Sequence, residues 1–172
     1  MLKYLFIIVI LVPLSISSLF AQNGAEKRLI AYVFLSDECP MCQGYAPVLN
    51  QLAANYDSKG VELVGVFQNY YASDSAIGAF KKEYNITFKM QRDSGFVLTN
   101  RLGASITPQV FVENTEGVLL YSGQIDDAYF RAGKRRGTTT FHYLKDAIES
   151  LLINKKPTIE ATKAIGCVIV KD

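Results

Sequence analysis

The 172-residue chain has no tryptophan, a single histidine (His142) and only three cysteines, and its eighteen basic side chains are interspersed with sixteen acidic ones. Each shortage excludes something. A net charge of +2 with no clustered basic face lacks the electrostatic footprint that nucleic acid requires. No glycine-rich phosphate cradle, serine–histidine–aspartate set or pair of carboxylates stands out, and there are no internal repeats or low-complexity segments. The apolar run nearest the start, Leu5 to Val12, falls short of the roughly eighteen residues expected of a membrane-spanning helix.

What is present begins with a leader. "MLKYLFIIVILVPLSISSLFAQ" has a basic start at Lys3, an apolar stretch broken by Pro13, and small or polar residues ending in Ala21. Residues 1–21 are expected to be a signal peptide cleaved near Ala21, with membrane attachment only if it stays uncleaved. No cysteine lies near that point to carry a lipid anchor. The remaining chain, 49% hydrophobic in overall composition, suits one core, read as a domain over 22–154 and a tail over 155–172. Periplasmic or otherwise exported, its cysteines meet an oxidising compartment. Three is an odd number, so one thiol is left over or changes partners.

Strand and helix patterns alternate. "RLIAYVFL" (Arg28 to Leu35) and "VELVGVFQ" (Val61 to Gln68) read as buried strands. Between them Val48, Leu49, Leu52 and Tyr56 recur at helical spacing before a stop at Gly60. A second helix starts at Ser73 or Asp74 with Ile77, Phe80 and Tyr84 on its face; "ITFKMQ" is a short strand and "GFVLTNRLGA" a short helix stopped at Gly103. Gln109 to Glu113 and Val118 to Ser122 form a hairpin around Asn114–Gly117. "FRAGKRRGTTT" reads as a loop whose Lys134, Arg135 and Arg136 could meet an acidic partner. Thr139 or Thr140 would then cap a last helix burying Phe141, Leu144, Ile148 and Leu151 or Leu152. The order predicts an α/β fold, a central mixed sheet flanked by helices, parallel strands first and an antiparallel edge last.

"FLSDECPMCQGY" places Cys39 and Cys42 three positions apart at the start of the first helix. There, unpaired N–H groups and the helix dipole favour a thiolate. Cys39 would face solvent as nucleophile, Pro40 would cost no hydrogen bond at the first helical position, and Cys42, more covered, would resolve a mixed disulfide. Asp37 and Glu38 act in the opposite sense on Cys39, because neighbouring negative charge raises a thiol pKa. Two other uses of the pair are weaker. A static staple across so short a loop constrains little of the unfolded chain. A zinc site from Cys39, Cys42, Cys167 and His142 lacks the usual second close pair. In "SITPQVFV", Pro108 either only starts a strand or, with a cis Thr107–Pro108 bond, holds backbone groups against the sulfurs for a substrate chain to pair with. Tyr45, Tyr70 and Tyr71 are candidate rim residues near the thiols.

"ECPMC" after a strand, "ITP" before one, and "VFVENTEGVLLYSGQIDD" resemble the bacterial thioredoxin-like redoxins, a group that includes exported thiol–disulfide reductases and the alkyl hydroperoxide reductase and thiol-specific antioxidant proteins. The resemblance implies a thioredoxin fold with Cys39 and Cys42 as redox pair and Thr107–Pro108, the proline cis, lining the substrate groove. Departures are specific. Cytosolic thioredoxins have tryptophan before the first cysteine and a buried aspartate on the preceding strand, where this chain has Glu38 and Val33. Peroxiredoxins carry a proline and a threonine or serine at the places of Tyr32 and Ser36, so half that motif is present. Copper-delivering redoxins use a wider cysteine spacing and another histidine.

The expectation is therefore an exported, monomeric thiol–disulfide oxidoreductase acting on protein thiols and disulfides together with an unidentified redox partner, with no cofactor or metal. Cys39 and Cys42 are its catalytic residues, Thr107 and Pro108 its substrate-binding residues, and Glu38 and Cys167 accessory candidates. Cys167, in "TKAIGCVIV", could pair with Cys39 or Cys42, bridge to another chain or stay reduced. The alternatives are a thiol peroxidase, a copper- or zinc-binding redoxin module, and a non-catalytic interaction domain.

Overall fold

The computed structural model describes residues 28–68 and 73–171. The leader, Tyr70 and Tyr71 lie outside the described residues. β1, Leu29–Leu35, sends Leu29, Ala31, Val33 and Leu35 into one buried cluster and Phe34 into another. Both faces are covered, which is why the run reads as almost continuously apolar. α1, Pro40–Tyr56, buries Cys42, Tyr45, Ala46, Leu49, Leu52 and Tyr56, a stripe at the three-to-four residue spacing of a helix, with Pro47 on its exposed side. A short 3₁₀ turn ends at Gly60, whose φ of 88° needs a residue without Cβ strain. β2, Val61–Phe67, then runs parallel to β1.

α2, Asp74–Glu83, starts where the sequence indicates: the Ser73 hydroxyl accepts the Ala76 N–H at 3.1 Å. It buries Ile77 and Phe80, the latter edge-on to Phe67. β3, Lys89–Arg92, adds parallel to β2, and α3, Val97–Leu102, stops at Gly103. After β4, Ile106–Thr107, come β5, Gln109–Asn114, and β6, Leu119–Gly123, an antiparallel pair. Their turn is held by Oδ1 of Asn114, which accepts from the N–H groups of Glu116 and Val118. β7, Tyr129–Arg131, and β8, Lys134–Arg135, precede α4, Tyr143–Leu152, and β9 is Cys167–Val168.

The main sheet has the order β3-β2-β1-β5-β6, parallel across β3-β2-β1 and antiparallel across β1-β5-β6. The larger cluster packs α1, α2 and α4 against one side; the smaller, around Phe34, Val64, Val66 and Phe111, is covered by Leu98 and Leu102 of α3 and by Ile169 of the tail. Truncating a fully buried member such as Leu49 to alanine costs about 2–5 kcal/mol.

Three expectations about the second half are corrected. The basic stretch is a small hairpin, β7 with β8, because Tyr129 and Phe130 offer apolar faces over which the guanidinium groups of Arg135 and Arg136 lie. Arg136 also pairs with Asp127 at 3.7 Å, so part of the basic run is already partnered within the chain. Neither Thr139 nor Thr140 caps α4: the N-cap position is His142, with no side-chain hydrogen bond, since Oδ1 of Asp127 takes the Thr140 and Phe141 N–H groups first. Phe141 therefore precedes the helix and is 52% exposed, stacked flat on Tyr143, instead of joining the buried stripe of Leu144 and Ile148.

Candidate active site

The antiparallel register of β1 with β5 sets Phe34 opposite Gln109, so the exit of β1 meets the entry of β5. The turn carrying Cys39 and the segment Thr107–Pro108 are thereby brought together from 68 residues apart in the chain. This is the point where the sheet changes from parallel to antiparallel neighbours, a natural place for a site in an α/β fold. Cys39 is the N-cap of α1 and Pro40 its first residue, as the sequence indicated. The Thr107–Pro108 bond is cis.

Cys39 and Cys42 are both buried, and all three cysteines are free thiols. In its protonated form Cys39 can donate to the Thr107 carbonyl oxygen at 3.3 Å, a bond the thiolate cannot make, and Cys42 accepts the Ser36 N–H at 3.5 Å. Cys167 reaches the same place from the tail: its thiol donates to the Cys39 sulfur at 2.8 Å. Of the partners open to Cys167, the structure thus sets Cys39 beside it. The expected solvent-facing Cys39 is corrected to a residue only 1% exposed, because Thr107 and the tail strand lie over it.

The three thiols differ electrostatically. The Cys39 thiol is lowered from 9.0 to about 5, chiefly because Cys42 donates to its thiolate, against the raising effect of burial; Cys167 and the Met41 and Cys42 backbone N–H groups add to the lowering. Asp37 and Glu38 are not among what moves it, which corrects the expected opposition; Glu38 points to solvent. Cys42 is raised well above its ordinary value by burial and by its place beside Cys39. Cys167 is raised to about 11, first by burial and then by Cys39. At neutral pH the arrangement is one thiolate flanked by two protonated thiols, a nucleophile with two thiols in reserve.

Sequence reasoning missed the supports. Oε1 of Gln109 accepts the N–H groups of Ser105 at 3.0 Å and Ile106 at 3.2 Å, bracing the loop before Thr107. The Gln43 amide donates to the Asp37 carbonyl at 2.8 Å and closes the turn before Cys39. Tyr45, read as a rim residue, is buried, and its hydroxyl donates to Oδ1 of Asp126 at 2.6 Å. Burial and that carboxylate push its phenol above its ordinary range. His142 lines a separate cavity of about 310 Å³ with Tyr56, Asp126 and Lys145. Among the described residues no group of three or more histidine, cysteine, aspartate or glutamate side chains is placed to hold a metal ion.

The architecture is a thioredoxin-like fold, and this chain aligns with a thioredoxin-like protein solved in its oxidised form at a TM-score of 0.56, 18% identity, covering 75% of this chain and 80% of that one. The chain belongs to the AhpC/TSA family, whose model matches residues 14–122. That match stops at the end of the main sheet, before the β7–β8 hairpin, α4 and the tail. A hypothetical protein from Sinorhizobium meliloti 1021 is similar over more of the molecule, with a TM-score of 0.73 and 27% identity across 84% of this chain and 80% of that one. Among curated proteins the chain is similar to the thiol-disulfide oxidoreductase ResA of Bacillus thuringiensis subsp. konkukian, 27% identical over 82 residues, which are 48% of this chain and 46% of the relative. The chain thus matches about half the length of that relative.

Proposed function

We propose that this protein is an exported thiol–disulfide oxidoreductase that exchanges disulfides with protein substrates through Cys39 and Cys42. The observation that carries the reading is the asymmetry of the pair: Cys39 at the N-cap of α1, 3.3 Å from the Thr107 carbonyl and with its pKa lowered, and Cys42 buried one turn deeper with its pKa raised. The likeness to ResA and membership of a redoxin family point the same way.

The Cys39 thiolate attacks one sulfur of a substrate disulfide, whose bond breaks as the other sulfur leaves and takes up a proton. The backbone of Thr107 and Pro108 offers the client a strand edge to lie against. Cys42 then gives up its proton and attacks Cys39, releasing the second substrate thiol and leaving Cys39 and Cys42 joined. Two electrons have passed to the substrate; run backwards, the same steps oxidise a dithiol. Buried pairing with Cys39 makes Cys42 a slow attacker until the mixed disulfide removes the thiolate beside it. Export is supported by the leader pattern in residues 1–21, and among the described residues no helix is long and apolar enough to cross a membrane.

Insulin reduction driven by dithiothreitol is the test. The wild-type chain is expected to accelerate it, Cys39→Ser to abolish the acceleration, and Cys42→Ala to accumulate mixed disulfides with the substrate. Background insulin turnover together with rapid peroxide consumption would replace this reading with a thiol peroxidase.

A further inference from the structure

The tail is fastened at both ends of its path across the site. Upstream, Ser122 donates to the Glu160 carbonyl at 3.0 Å and accepts from the Thr162 N–H at 2.9 Å, while the Thr162 hydroxyl takes the Gln124 N–H at 2.8 Å. Downstream, the Ile169 N–H donates to the Ser105 carbonyl at 2.8 Å, and the Ile169 side chain is buried with Phe34, Val66 and Phe111. Between these anchors β9 pairs antiparallel with β4, setting Cys167 opposite Thr107. Side chains alternate as in a strand: Val168 and Val170 are 73% and 70% exposed, Cys167 and Ile169 turn inward. Gly166 allows the close approach, since a Cβ there would strike the Thr107 carbonyl.

Two independent features therefore coincide. The tail backbone occupies the Thr107 edge that a client strand would use, and the tail sulfur stands against the Cys39 sulfur, where a client sulfur has to stand to be attacked. We propose that β9 is an internal substrate: Cys167 forms a reversible disulfide with Cys39 that latches the tail over the groove, and clients compete with it for entry. This rests on the thiol-exchange reading of Cys39 and Cys42.

The step balances without an outside oxidant. In the oxidised protein Cys167, as thiolate, attacks the Cys39 sulfur; the Cys39–Cys42 bond breaks, the Cys39–Cys167 bond forms, and Cys42 takes up the proton that Cys167 lost. Attack by Cys42 on Cys39 reverses it. In the reduced protein the same contact persists without the bond, and between its two anchors the tail is held over Thr107 by a strand pairing of two residues.

The experiment uses the full chain carrying Cys42→Ser, reduced and then treated with oxidised glutathione. Glutathione joins Cys39 and releases one equivalent of its thiol; Cys167 is expected to displace the second. The product is a monomer lacking two hydrogens, with peptides of Cys39 and Cys167 linked after digestion, and Cys42→Ser/Cys167→Ser retains the glutathione adduct. A stable adduct in the presence of Cys167, or disulfide-linked dimers, would overturn the proposal. As a second readout, Gly166→Ala in the otherwise wild-type chain is expected to raise Cys39 alkylation and insulin kcat/KM about tenfold by displacing the strand; rates equal to wild type would likewise overturn it. Insulin turnover by the unmodified chain is scored separately, so loss of the enzymatic reading shows there and loss of the latch shows here.

Discussion

Tyr45, on the helix that Cys39 caps and that contains Cys42, donates its hydroxyl to the buried carboxylate of Asp126 at 2.6 Å, tying α1 to the segment that follows β6. Oδ1 of Asp126 also accepts the Ala128 N–H at 2.8 Å, so a single acceptor atom organises the turn into β7 and the thiol-bearing helix together. A bond to a buried charged acceptor is worth more than a neutral one, and its loss leaves desolvated charge. Tyr45→Phe keeps the ring and removes the hydroxyl. It is expected to cost about 1–3 kcal/mol, read as a lowered urea midpoint with unchanged slope. A change within a few tenths would show that Asp126 finds another donor.

The lowered Cys39 pKa makes both stability and thiol reactivity depend on pH. Its pKa is depressed from 9.0 to about 5, so the stability it contributes is complete above the ordinary thiol value and declines as pH falls, vanishing below about 5. The stability gap between wild type and Cys39→Ala in reduced protein is expected to shrink from pH 9 towards pH 5. The iodoacetamide rate of Cys39 is expected to stay high at neutral pH and fall near pH 5. Because donation by Cys42 is the largest lowering cause, Cys42→Ala moves that midpoint up; Cys167→Ala moves it up by less. An alkylation midpoint in the ordinary thiol range would refute the assignment.

Much of this was readable in the residues, for physical reasons. Buried β1 and β2, the α1 stripe, the Ser73 cap and the Gly60 and Gly103 stops all rest on local signals, apolar period or backbone conformation, which the chain displays within a few residues. The juxtaposition of "ECPMC" with "ITP" was reachable through strand order, since only the pairing of β1 with β5 is needed to bring them together. What stayed hidden depended on distant partners. Phe141 matched the helical period, yet Asp127 had already claimed its N–H. Tyr45 lies near the thiols in sequence but is drawn inside by Asp126. Cys39 looked open because nothing in its neighbourhood announces that a strand 128 residues later will cover it.

Arg101 and Glu113 offer a test of packing on the second face of the sheet. The guanidinium grips the carboxylate through two bonds, 2.6 and 2.9 Å, with Glu113 only 5% exposed on β5 and Arg101 46% exposed. Because water still reaches the arginine, the pair itself adds modestly, but removing Arg101 leaves a buried carboxylate alone. Arg101→Ala is expected to cost about 1–3 kcal/mol in urea unfolding, and Arg101→Leu with Glu113→Leu to recover most of it. Equal losses in single and double variants would mean that packing, not charge, decides.

On the thiol-exchange reading Gln109 would act on Cys39 only through Thr107, as a positioning residue. Its Oε1 accepts from Ser105 and Ile106, and without it the loop that presents the Thr107 carbonyl loses two of its fixed points. Gln109→Leu has similar bulk and no acceptor, so it is expected to lower insulin kcat/KM about tenfold, chiefly through KM, since a misplaced edge weakens docking before it slows exchange. Gln109→Glu keeps an acceptor oxygen at the same reach and is expected to restore most of the loss. A general packing role would predict the reverse, with leucine tolerated and the half-buried charge of glutamate harmful. Steady-state kinetics on the two variants, with their urea midpoints alongside, separates the cases.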